Sequence, residues 1–405
     1  MSGALSHIRV LDLSRILAGP WAGQMLADFG AEVIKIERPG KGDDTRQWGP
    51  PFMQGSDAKT SEAAYFHAAN RGKQSVAVDM ACPEGQAIIR ELVKVSDVLL
   101  ENYKVGGLKQ YGLDYDSLKA LNPRLIYCSI TGFGQDGPDA QRAGYDFMIQ
   151  GMGGLMSVTG EPDGMPMKAG VALVDVMTGL YAANAVQAAL LHREETGMGQ
   201  YIDLALLDVQ VATLANQAMN FLASGVSPER LGNAHPNIVP YQAFPTADGH
   251  IILAVGNDQQ FTRFCEAAGR PELAADPAFS SNQKRVENRN DLIPFLLPLM
   301  KHNTTEVWLA KLGDVGVPCG PINTIAQVFD EPQIKHREMQ ISLEHRDAGN
   351  VPSVANPVKF SKTPITYRQA PPVLGEHSEQ VLKSVLDMTE KDIEKLCNQG
   401  VIQRG

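Results

Sequence analysis

The stretch that decides the fold is IRVLDLSRILAGPWAGQMLADFGAEVIKIE, residues 8–37. Apolar, β-branched runs at 8–13 and 33–37 predict two short strands. The residues between them have helical spacing, and Pro20 suits the first turn of a helix, where its missing N–H needs no partner. Strand, helix and strand in this order predict a βαβ unit with parallel strands.

The same alternation continues along the first half of the chain. Further strands are expected at 74–80, 97–103 and 124–134, and helices at 83–96 and 114–121. Strands that alternate with helices of this length predict a parallel sheet covered on both faces. The fold class is therefore α/β, with a Rossmann-like large domain.

The pattern changes in the second half of the chain. A long helix is expected at 203–223, and the turn-rich SGVSPERLGNAHPNIVPY then opens a second domain. There YQAFPTADGHIILAVG predicts a hairpin with Asp248 and Gly249 in its turn, because Asp-Gly tolerates the positive φ of tight hairpins. We expect a large domain at 1–224, completed by 331–405, and a smaller α+β domain at 225–330. The remaining predicted elements are helices at 258–269, 304–313, 376–387 and 389–398 and a strand at 317–323.

Composition restricts the classes of partner. The 405 residues carry a net charge of −10, which argues against a nucleic-acid or anionic-membrane partner. The five cysteines form no CxxC pair and suit reduced thiols. No secretory signal is apparent at the N-terminus, and the most apolar run, 180–191, is too short to span a bilayer. These features predict a cytoplasmic protein with no membrane or nucleic-acid partner.

Several common kinds of site are absent from the sequence. The first strand-to-helix turn, SRILAGPWAG, lacks the GxGxxG glycines of a dinucleotide site, so a nicotinamide cofactor is not expected. The nine histidines show no HxxxH or HExxH spacing, and no Cys/His cluster exists, so no metal site is expected. No GxSxG nucleophile elbow is present.

Basic residues recur on the loops after the predicted strands. As a set in an acidic protein they are candidates to cradle phosphates, whereas each one alone is more simply a solvated surface charge. They are Arg15, Arg38, Lys41, Arg46, Arg71 and Lys73.

One carboxylate, Asp175, lies in the apolar stretch KAGVALVDVMTGLYAANAVQAALLHR, residues 168–193. An ionised carboxylate among apolar groups is costly unless it is paired, hydrogen-bonded or used in chemistry. Spacing alone leaves two interpretations open. Asp175 is either a helix N-cap that accepts from the amides of Met177 or Thr178, or a reactive group.

Several long motifs follow one another over nearly the whole chain. They are VLDLSRILAGPWAGQMLADFGAEVIKIERPGKGDDTR, YFHAANRGKQSVAVD, DVLLENY, LNPRLIYCSITGFGQDGP, AGYDFMIQGMGGLMSVTG and GVALVDVMTGLYAA. In this order they resemble the class III CoA-transferases (CaiB/BaiF), the family of formyl-CoA and carnitine CoA-transferases. The resemblance implies two ring-shaped subunits threaded through one another as a homodimer.

The resemblance implies that Asp175 is a nucleophile, because it occupies the family's aspartate in GxxLxDxxTGxxAA. A carboxylate can attack a thioester to give a mixed anhydride, and the released CoA thiolate then forms an aspartyl-CoA thioester. Partial burial would shield these intermediates from water. The chemistry needs no metal or redox cofactor, since the coenzyme A thioester is itself a substrate.

The resemblance also implies the remaining site residues. Tyr145 and Asp146 are expected near the transferred acyl group. Gln110, Ala81 and Leu17 depart from the formyl-CoA enzyme, which has arginine, lysine and glutamine there, so formyl-CoA and oxalate are doubtful substrates. The expected CoA contacts are Leu17, Ala18, Arg38, Val78, Asn102, Tyr103, Lys104 and Gln110, with Lys109 or Arg71 as further phosphate candidates.

Within the family, the segments at 127–146, 234–249, 256–261 and 320–333 look most like the enzymes that act on dicarboxylates. The implied donor is succinyl-CoA and the implied acceptor glutarate or a related acid. A second carboxylate on the acceptor calls for a charge-assisted contact, and Arg15 or Arg142 is the hypothesis for it. A surface salt bridge is the alternative for either arginine.

Two other functions compete with transfer. The 2-methylacyl-CoA racemase branch of the same fold has GHD where this chain has GYD, and Tyr145 is a poor base near pH 7 because the unperturbed tyrosine pKa is about 10. A non-catalytic CoA-binding protein could use asparagine at position 175. Both features favour transfer.

Overall fold

A computed structural model of the protein describes residues 3–53 and 62–405. The chain forms two compact units. Unit 1 comprises Met1–Gly154, Ala169–Ala215 and Pro332–Gly405, and unit 2 comprises Leu155–Lys168 and Asn216–Glu331. These units divide the chain at 215/216 rather than at the expected 224/225, and unit 2 takes in 155–168, which no composition shift marks.

Unit 1 is built around one seven-stranded sheet of order β12-β3-β2-β1-β4-β5-β6, parallel except for β12. The α/β class is therefore confirmed. The register pairs Val10 with Val33 on one side and Val98 on the other. The strands are β1 (Arg9–Asp12), β2 (Glu32–Glu37), β3 (Lys73–Val78), β4 (Val98–Glu101), β5 (Ile126–Thr131), β6 (Tyr201–Ala205) and β12 (Ile402–Gln403).

Helices cover both faces of this sheet because side chains alternate along each strand. Val10 packs with α1 and α6 on one face, whereas its neighbour Leu11 packs with α3, α16 and α17 on the other. The helices of unit 1 are α1 (Ala18–Asp28), α2 (Ala64–His67), α3 (Pro83–Lys94), α4 (Tyr115–Leu118), α5 (Asp146–Met152), α6 (Leu173–Thr196), α7 (Leu206–Thr213), α15 (Pro332–His336), α16 (Ser378–Leu386) and α17 (Glu390–Asn398).

Helix α6 positions the carboxylate singled out above, because Asp175 falls in its first turn. One turn later, Gly179 packs so closely on α1 that an added Cβ would lie 2.8 Å from the Ala18 carbonyl oxygen. By length and composition α6 could span a membrane. It is weak support for a span, because 44% of its apolar window is buried and it packs on α1 in the core.

The helix predicted at 203–223 is confirmed over most of its length, but its first three residues belong to a strand and it is interrupted at Leu214. Residues 201–205 form β6, which pairs in parallel with β5, and the chain then continues as α7 and α8 (Ala215–Ser224). Ala215, the first residue of α8, has a φ of 48°. Residues 203–205 take their conformation from pairing with β5, whereas the apolar spacing from Leu206 onward does form a helix.

Unit 2 holds a three-stranded sheet of order β7-β8-β9, formed by β7 (Tyr241–Pro245), β8 (His250–Ala254) and β9 (Cys319–Pro321). The predicted β7–β8 hairpin is confirmed, but neither Asp248 nor Gly249 has a positive φ. Instead the Asp248 carboxylate accepts from the Thr305 N–H at 2.8 Å. The helices of unit 2 are α8, α9 (Asp258–Ala267), α10 (Glu272–Ala275), α11 (Asn282–Glu287), α12 (Arg289–Met300), α13 (Thr305–Asp314) and α14 (Ile325–Asp330).

A second hairpin belongs to unit 1 and was not predicted. Strands β10 (Gln340–His345) and β11 (Gly349–Val354) pair in antiparallel fashion, and Leu343 and Val351 pack together beneath them. The sequence gives a weak strand signal here, because each strand has only two apolar β-forming residues and Pro352 lies within β11.

Candidate active site

Unit 1 contains a cavity of about 880 Å³ at the carboxyl ends of the parallel strands, where open α/β sheets bind ligands. Its walls come from the loops after β1, β2, β3, β4 and β5 and from the first turn of α6. The further phosphate candidates Lys109 and Arg71 are not among the residues that line this cavity. Thirteen predicted site residues do line it. They are Arg15, Leu17, Ala18, Arg38, Val78, Asn102, Tyr103, Lys104, Gln110, Arg142, Tyr145, Asp146 and Asp175.

Asp175 is partly buried, and among the described residues none donates a hydrogen bond to its carboxylate. Burial, and then the negative charge of Asp146, raise its pKa to about 7. Asp175 therefore titrates much closer to neutral pH than an ordinary aspartate does. The N-cap interpretation is wrong, because Asp175 lies inside the helix that begins at Leu173 and another carboxylate accepts its N–H.

That second carboxylate is Asp146, the first residue of α5. Its Oδ1 accepts from the N–H groups of Val174 at 2.8 Å and Asp175 at 3.3 Å, and its Oδ2 accepts from Gln150 at 2.6 Å. Asp146 thus caps α6 from outside that helix and fixes the backbone that carries Asp175. Its neighbour Tyr145 is exposed at the cavity mouth.

The loop from β1 to α1 enters the cavity opposite α6. Ile16 has a φ of 72°, an unusual conformation for a β-branched residue that costs roughly 1–3 kcal/mol. Leu17 and Ala18 follow it and are buried. Among the described residues, none accepts a hydrogen bond from their N–H groups.

The cations at the cavity rim differ in their pairing. Arg38 and Lys104 are exposed, and neither forms an ion pair with a described residue. Arg15 pairs with Asp44 at 2.8 Å and lies over the Tyr103 ring, whereas Arg142 pairs with Asp139 at 2.9 Å. Arg38 and Lys104 are therefore free to meet phosphate oxygens.

The phosphate interpretation is wrong for three of the basic residues. Arg46, Arg71 and Lys73 are buried and held by carboxylates, at 2.7 Å from Glu37, 2.6 Å from Asp28 and 2.8 Å from Asp12 respectively. These pairs stabilise the sheet edge instead of facing the cavity. Lys41 is exposed and is not among the residues that line the cavity.

Sequence reasoning missed two aromatic residues of the site. Trp48 lines the cavity and meets Tyr65 edge to face, with ring centroids 5.4 Å apart. Burial, and then the charges of Asp175, Asp146 and Asp43, raise the pKa of Tyr65, so this hydroxyl stays protonated near neutral pH. Tyr65 is the first residue of YFHAANRGK, part of a motif that resembles the family, so the motif could have pointed to this tyrosine.

Three side chains with metal-ligating atoms, two of them buried and one partly buried, also meet in unit 1. Glu62, His67 and His345 place one such atom each within 4.8 Å of the others, a grouping that no short spacing could reveal. The His345 Nδ1 accepts the N–H groups of Asp347 and Ala348, which puts its proton on the Nε2 that faces Glu62. Metal-bound imidazoles carry their proton on the other nitrogen. The arrangement therefore favours imidazole N–H groups that face one carboxylate.

The fold and the cavity define an α/β protein with a partly buried acid of raised pKa at the ends of its parallel strands. The sequence profile of CoA-transferase family III matches residues 5–378. The chain belongs to this family.

Individual relatives support the same assignment. The chain is 54% identical to the succinate–glutarate CoA-transferase of Agrobacterium fabrum over 93% of this chain and 94% of that protein. It is 44% identical to the human succinyl-CoA:glutarate CoA-transferase over 99% of this chain and 90% of that protein. The crystal structure of a CaiB/BaiF family protein from Brucella suis matches with a TM-score of 0.84 and 51% identity, and covers 95% of this chain and 100% of that one.

Proposed function

We propose that this CoA-transferase moves CoA from succinyl-CoA to glutarate or a related dicarboxylate, with Asp175 as the covalent nucleophile. The observation that carries the proposal is a carboxylate without a described hydrogen-bond donor, in the first turn of α6, facing a cavity large enough for an acyl-CoA thioester. The substrates named for the two CoA-transferases described above supply the donor and acceptor.

The first half-reaction begins with the ionised Asp175. One carboxylate oxygen attacks the thioester carbonyl, the C–S bond breaks, and the CoA thiolate leaves a mixed anhydride of Asp175 and succinate. The thiolate then attacks the aspartyl carbonyl of the anhydride. Succinate departs with the anhydride oxygen's electron pair, and an aspartyl-CoA thioester remains.

The second half-reaction runs the same steps in reverse with the acceptor. A glutarate carboxylate attacks the aspartyl-CoA thioester and expels the thiolate, which gives a new anhydride. The thiolate attacks the glutaryl carbonyl, releases glutaryl-CoA and regenerates the Asp175 carboxylate. Each step exchanges one acyl bond for another, so no net proton or electron is required.

Different residues at the cavity rim contact different parts of the CoA moiety. Arg38 and Lys104, which have no described ion-pair partner, bind CoA phosphates. Leu17 and Ala18 contact the thioester end through their backbone, and Val78 lies beside the adenine. Asn102, Tyr103 and Gln110 border the same cavity and complete the proposed CoA contacts.

The distal carboxylate of the acceptor is assigned to Arg15 or Arg142, because both are arginines on the wall of the cavity that holds Asp175. Each already pairs with an aspartate, so acceptor binding would exchange one carboxylate for another. Arg15→Met and Arg142→Met are compared with dicarboxylate and monocarboxylate acceptors. The residue that binds the distal group will raise KM for the dicarboxylate far more, and an equal rise for both acceptors would remove that residue from the assignment.

We also infer that the enzyme is a homodimer in the cytoplasm. Helix α6 exposes Leu180, Tyr181 and Leu191, and α8 exposes Met219, Phe221 and Leu222. Apolar exposure on this scale is typical of a surface that a partner covers. Size-exclusion chromatography with light scattering should give twice the mass of one chain, and a monomer at micromolar concentration would contradict the inference.

One assay separates transfer from its rivals. The enzyme is incubated with succinyl-CoA and glutarate in D₂O, and glutaryl-CoA is followed by mass. Exchange of an α-hydrogen without transfer would indicate a racemase. If none of a broad panel of acyl-CoA substrates is converted, the protein would be a non-catalytic CoA-binding protein. Trapping with hydroxylamine or borohydride during turnover, followed by peptide mapping, should modify Asp175, and an unmodified Asp175 in a working enzyme would refute the mechanism.

A further inference from the structure

We propose that Asn102 is a positioning residue. It holds Ile16 in its left-handed conformation, so that the N–H groups of Leu17 and Ala18 stabilise the oxyanion formed when Asp175 attacks the thioester. This inference rests on the proposed function for its kinetic readout. The Asn102 side chain then restrains the backbone of the loop between β1 and α1, in addition to lining the CoA cavity.

The Asn102 carboxamide is bonded to both backbone groups of Arg15. Its Oδ1 accepts from the Arg15 N–H at 2.8 Å, and its Nδ2 donates to the Arg15 carbonyl at 2.7 Å. Two bonds to one residue fix the orientation of the peptide unit that precedes Ile16. This restraint comes from the end of β4, 87 residues away along the chain.

A second restraint acts on Ile16 itself. Its N–H lies 3.3 Å from both oxygens of the Asp43 carboxylate, and that carboxylate is held by the buried Lys35 at 2.9 Å. The Lys35 ammonium also donates to the Ser14 carbonyl at 2.8 Å. A β-branched residue at a φ of 72° persists only when its surroundings determine it, and these contacts bracket the strained residue on both sides.

The strained turn sets where the next N–H groups lie. Leu17 and Ala18 begin α1, their N–H groups have no acceptor among the described residues, and Pro20 has no N–H to offer. The contact of Gly179 with the Ala18 carbonyl puts this helix start one turn from Asp175. Donors fixed in advance at a developing negative charge stabilise the transition state more than the ground state.

The test uses Asn102→Ala, alone and with Ile16→Gly, measured by steady-state transfer and by calorimetric binding of free CoA. Asn102→Ala should lower kcat about 100-fold, because misplaced donors act on the transition state. The Kd of free CoA should rise only slightly, from loss of the proposed CoA contact. Glycine adopts positive φ without strain, so Ile16→Gly in the Asn102→Ala background should recover most of the lost kcat. If Asn102 served only as a CoA contact, Kd would rise with kcat unchanged, and Ile16→Gly would restore nothing.

Two further variants keep the test decisive. Asn122→Ala is the matched control, since Asn122 also bonds two backbone carbonyls of unit 1, those of Val93 and Ser96, far from the cavity loops. It should leave kcat unchanged and show no rescue by Ile16→Gly. Should Asn102→Ala fail to fold, Asn102→Asp retains the acceptor for the Arg15 N–H but loses the donor to its carbonyl, and it should show a smaller, glycine-rescued loss. A kcat loss in either Asn102 variant that glycine does not restore would overturn the proposal.

Hydrogen exchange separates this inference from the proposed function. The amides of Arg15 and Ile16 should exchange faster in Asn102→Ala than in the wild type, whatever the substrates of the enzyme. Unchanged exchange there would refute the positioning role. A wild-type enzyme that transfers no CoA would refute the proposed function alone.

Discussion

Two groups of buried or partly buried acids lie at the carboxyl ends of the strands in unit 1, and their surroundings shift their pKa values in opposite directions. Asp12, Glu37 and Asp43 are buried, and each meets a cation, Lys73, Arg46 or Lys35, within 3 Å. Burial acts against their charged forms, but the cations outweigh it and hold the pKa of each carboxyl below its usual value.

Asp175 and Glu101 form the second group. Glu101 is buried at the end of β4 and accepts from the Tyr103 N–H at 2.8 Å, but no described cation pairs with it. Burial outweighs its hydrogen bonds and raises the pKa of Glu101 to about 7, as it does for Asp175. Glu101 is as deeply buried as the acids of the first group, so the presence of a cation decides whether such an acid is a fixed charge or has a pKa near neutral pH.

The strongest way to break the comparison is to neutralise the two poised acids separately. Asp175→Asn removes the nucleophile and should lower kcat at least about 10,000-fold, while free CoA still binds. Glu101→Gln is the matched control, since it removes an equally poised acid that the proposed chemistry does not use, and it should retain transfer. Comparable losses in both variants would mean that charge at the sheet edge matters, not the nucleophile.

The next effect comes from breaking a paired acid. Lys73→Met leaves the Asp12 carboxylate buried without its cation and should destabilise the protein by about 3–5 kcal/mol in a urea titration. Adding Asp12→Asn removes the stranded charge and should recover part of the loss. If the single and double variants unfold at the same urea concentration, the pairing argument for this group is wrong.

A smaller effect is expected on stability, because the raised pKa of Asp175 lowers the free energy of unfolding at neutral and higher pH. The pKa of Asp175 is raised from 3.8 to about 7 on folding, so the native state holds the proton more tightly and its stability falls as pH rises from 4 to 7. Asp175→Asn removes this penalty. It should raise the free energy of unfolding by roughly 2–4 kcal/mol at pH 8 and by little at pH 4. An equal gain at both pH values would contradict the raised pKa.

The smallest effect is expected from an exposed ion pair, which gives a reference for the loss expected from the buried Lys73–Asp12 pair. Lys94 and Glu91 form an exposed ion pair on α3, three residues apart. Lys94→Met should change the free energy of unfolding by less than about 0.5 kcal/mol, because water screens the pair. A loss as large as that of Lys73→Met would show that burial does not set the scale.

The local pattern predicted the elements whose signal is complete within a short stretch. The predicted strands correspond to β1 through β5, and the helix at 83–96 to α3, since alternation and helix spacing are local properties. The helix predicted at 203–223 is confirmed from residue 206, but 203–205 form part of β6, because this segment lies beside β5 only in the folded chain. The β10–β11 hairpin was missed for a local reason, since Pro352 and few apolar residues give it a weak strand pattern.

The site was predicted as a set of residues, through the resemblance of long motifs, and those residues do line one cavity. Their partners were not predicted. The ion pairs of Arg46, Arg71 and Lys73 and the approach of Tyr65 to Asp175 join loops that the sequence does not connect. Nothing local distinguishes a lysine that pairs with a buried aspartate from one that meets a phosphate.

By itself the sequence determined the α/β class, the positions of the first five strands along the chain and the presence of an acid in an apolar stretch at position 175. Only the tertiary structure decided that Asp146 caps that helix, that no described cation reaches Asp175, and that Ile16 is held in a strained turn nearby. The physical reason is that spacing along the chain fixes local conformation. The ionisation of a carboxylate depends instead on burial and on charges brought close by folding.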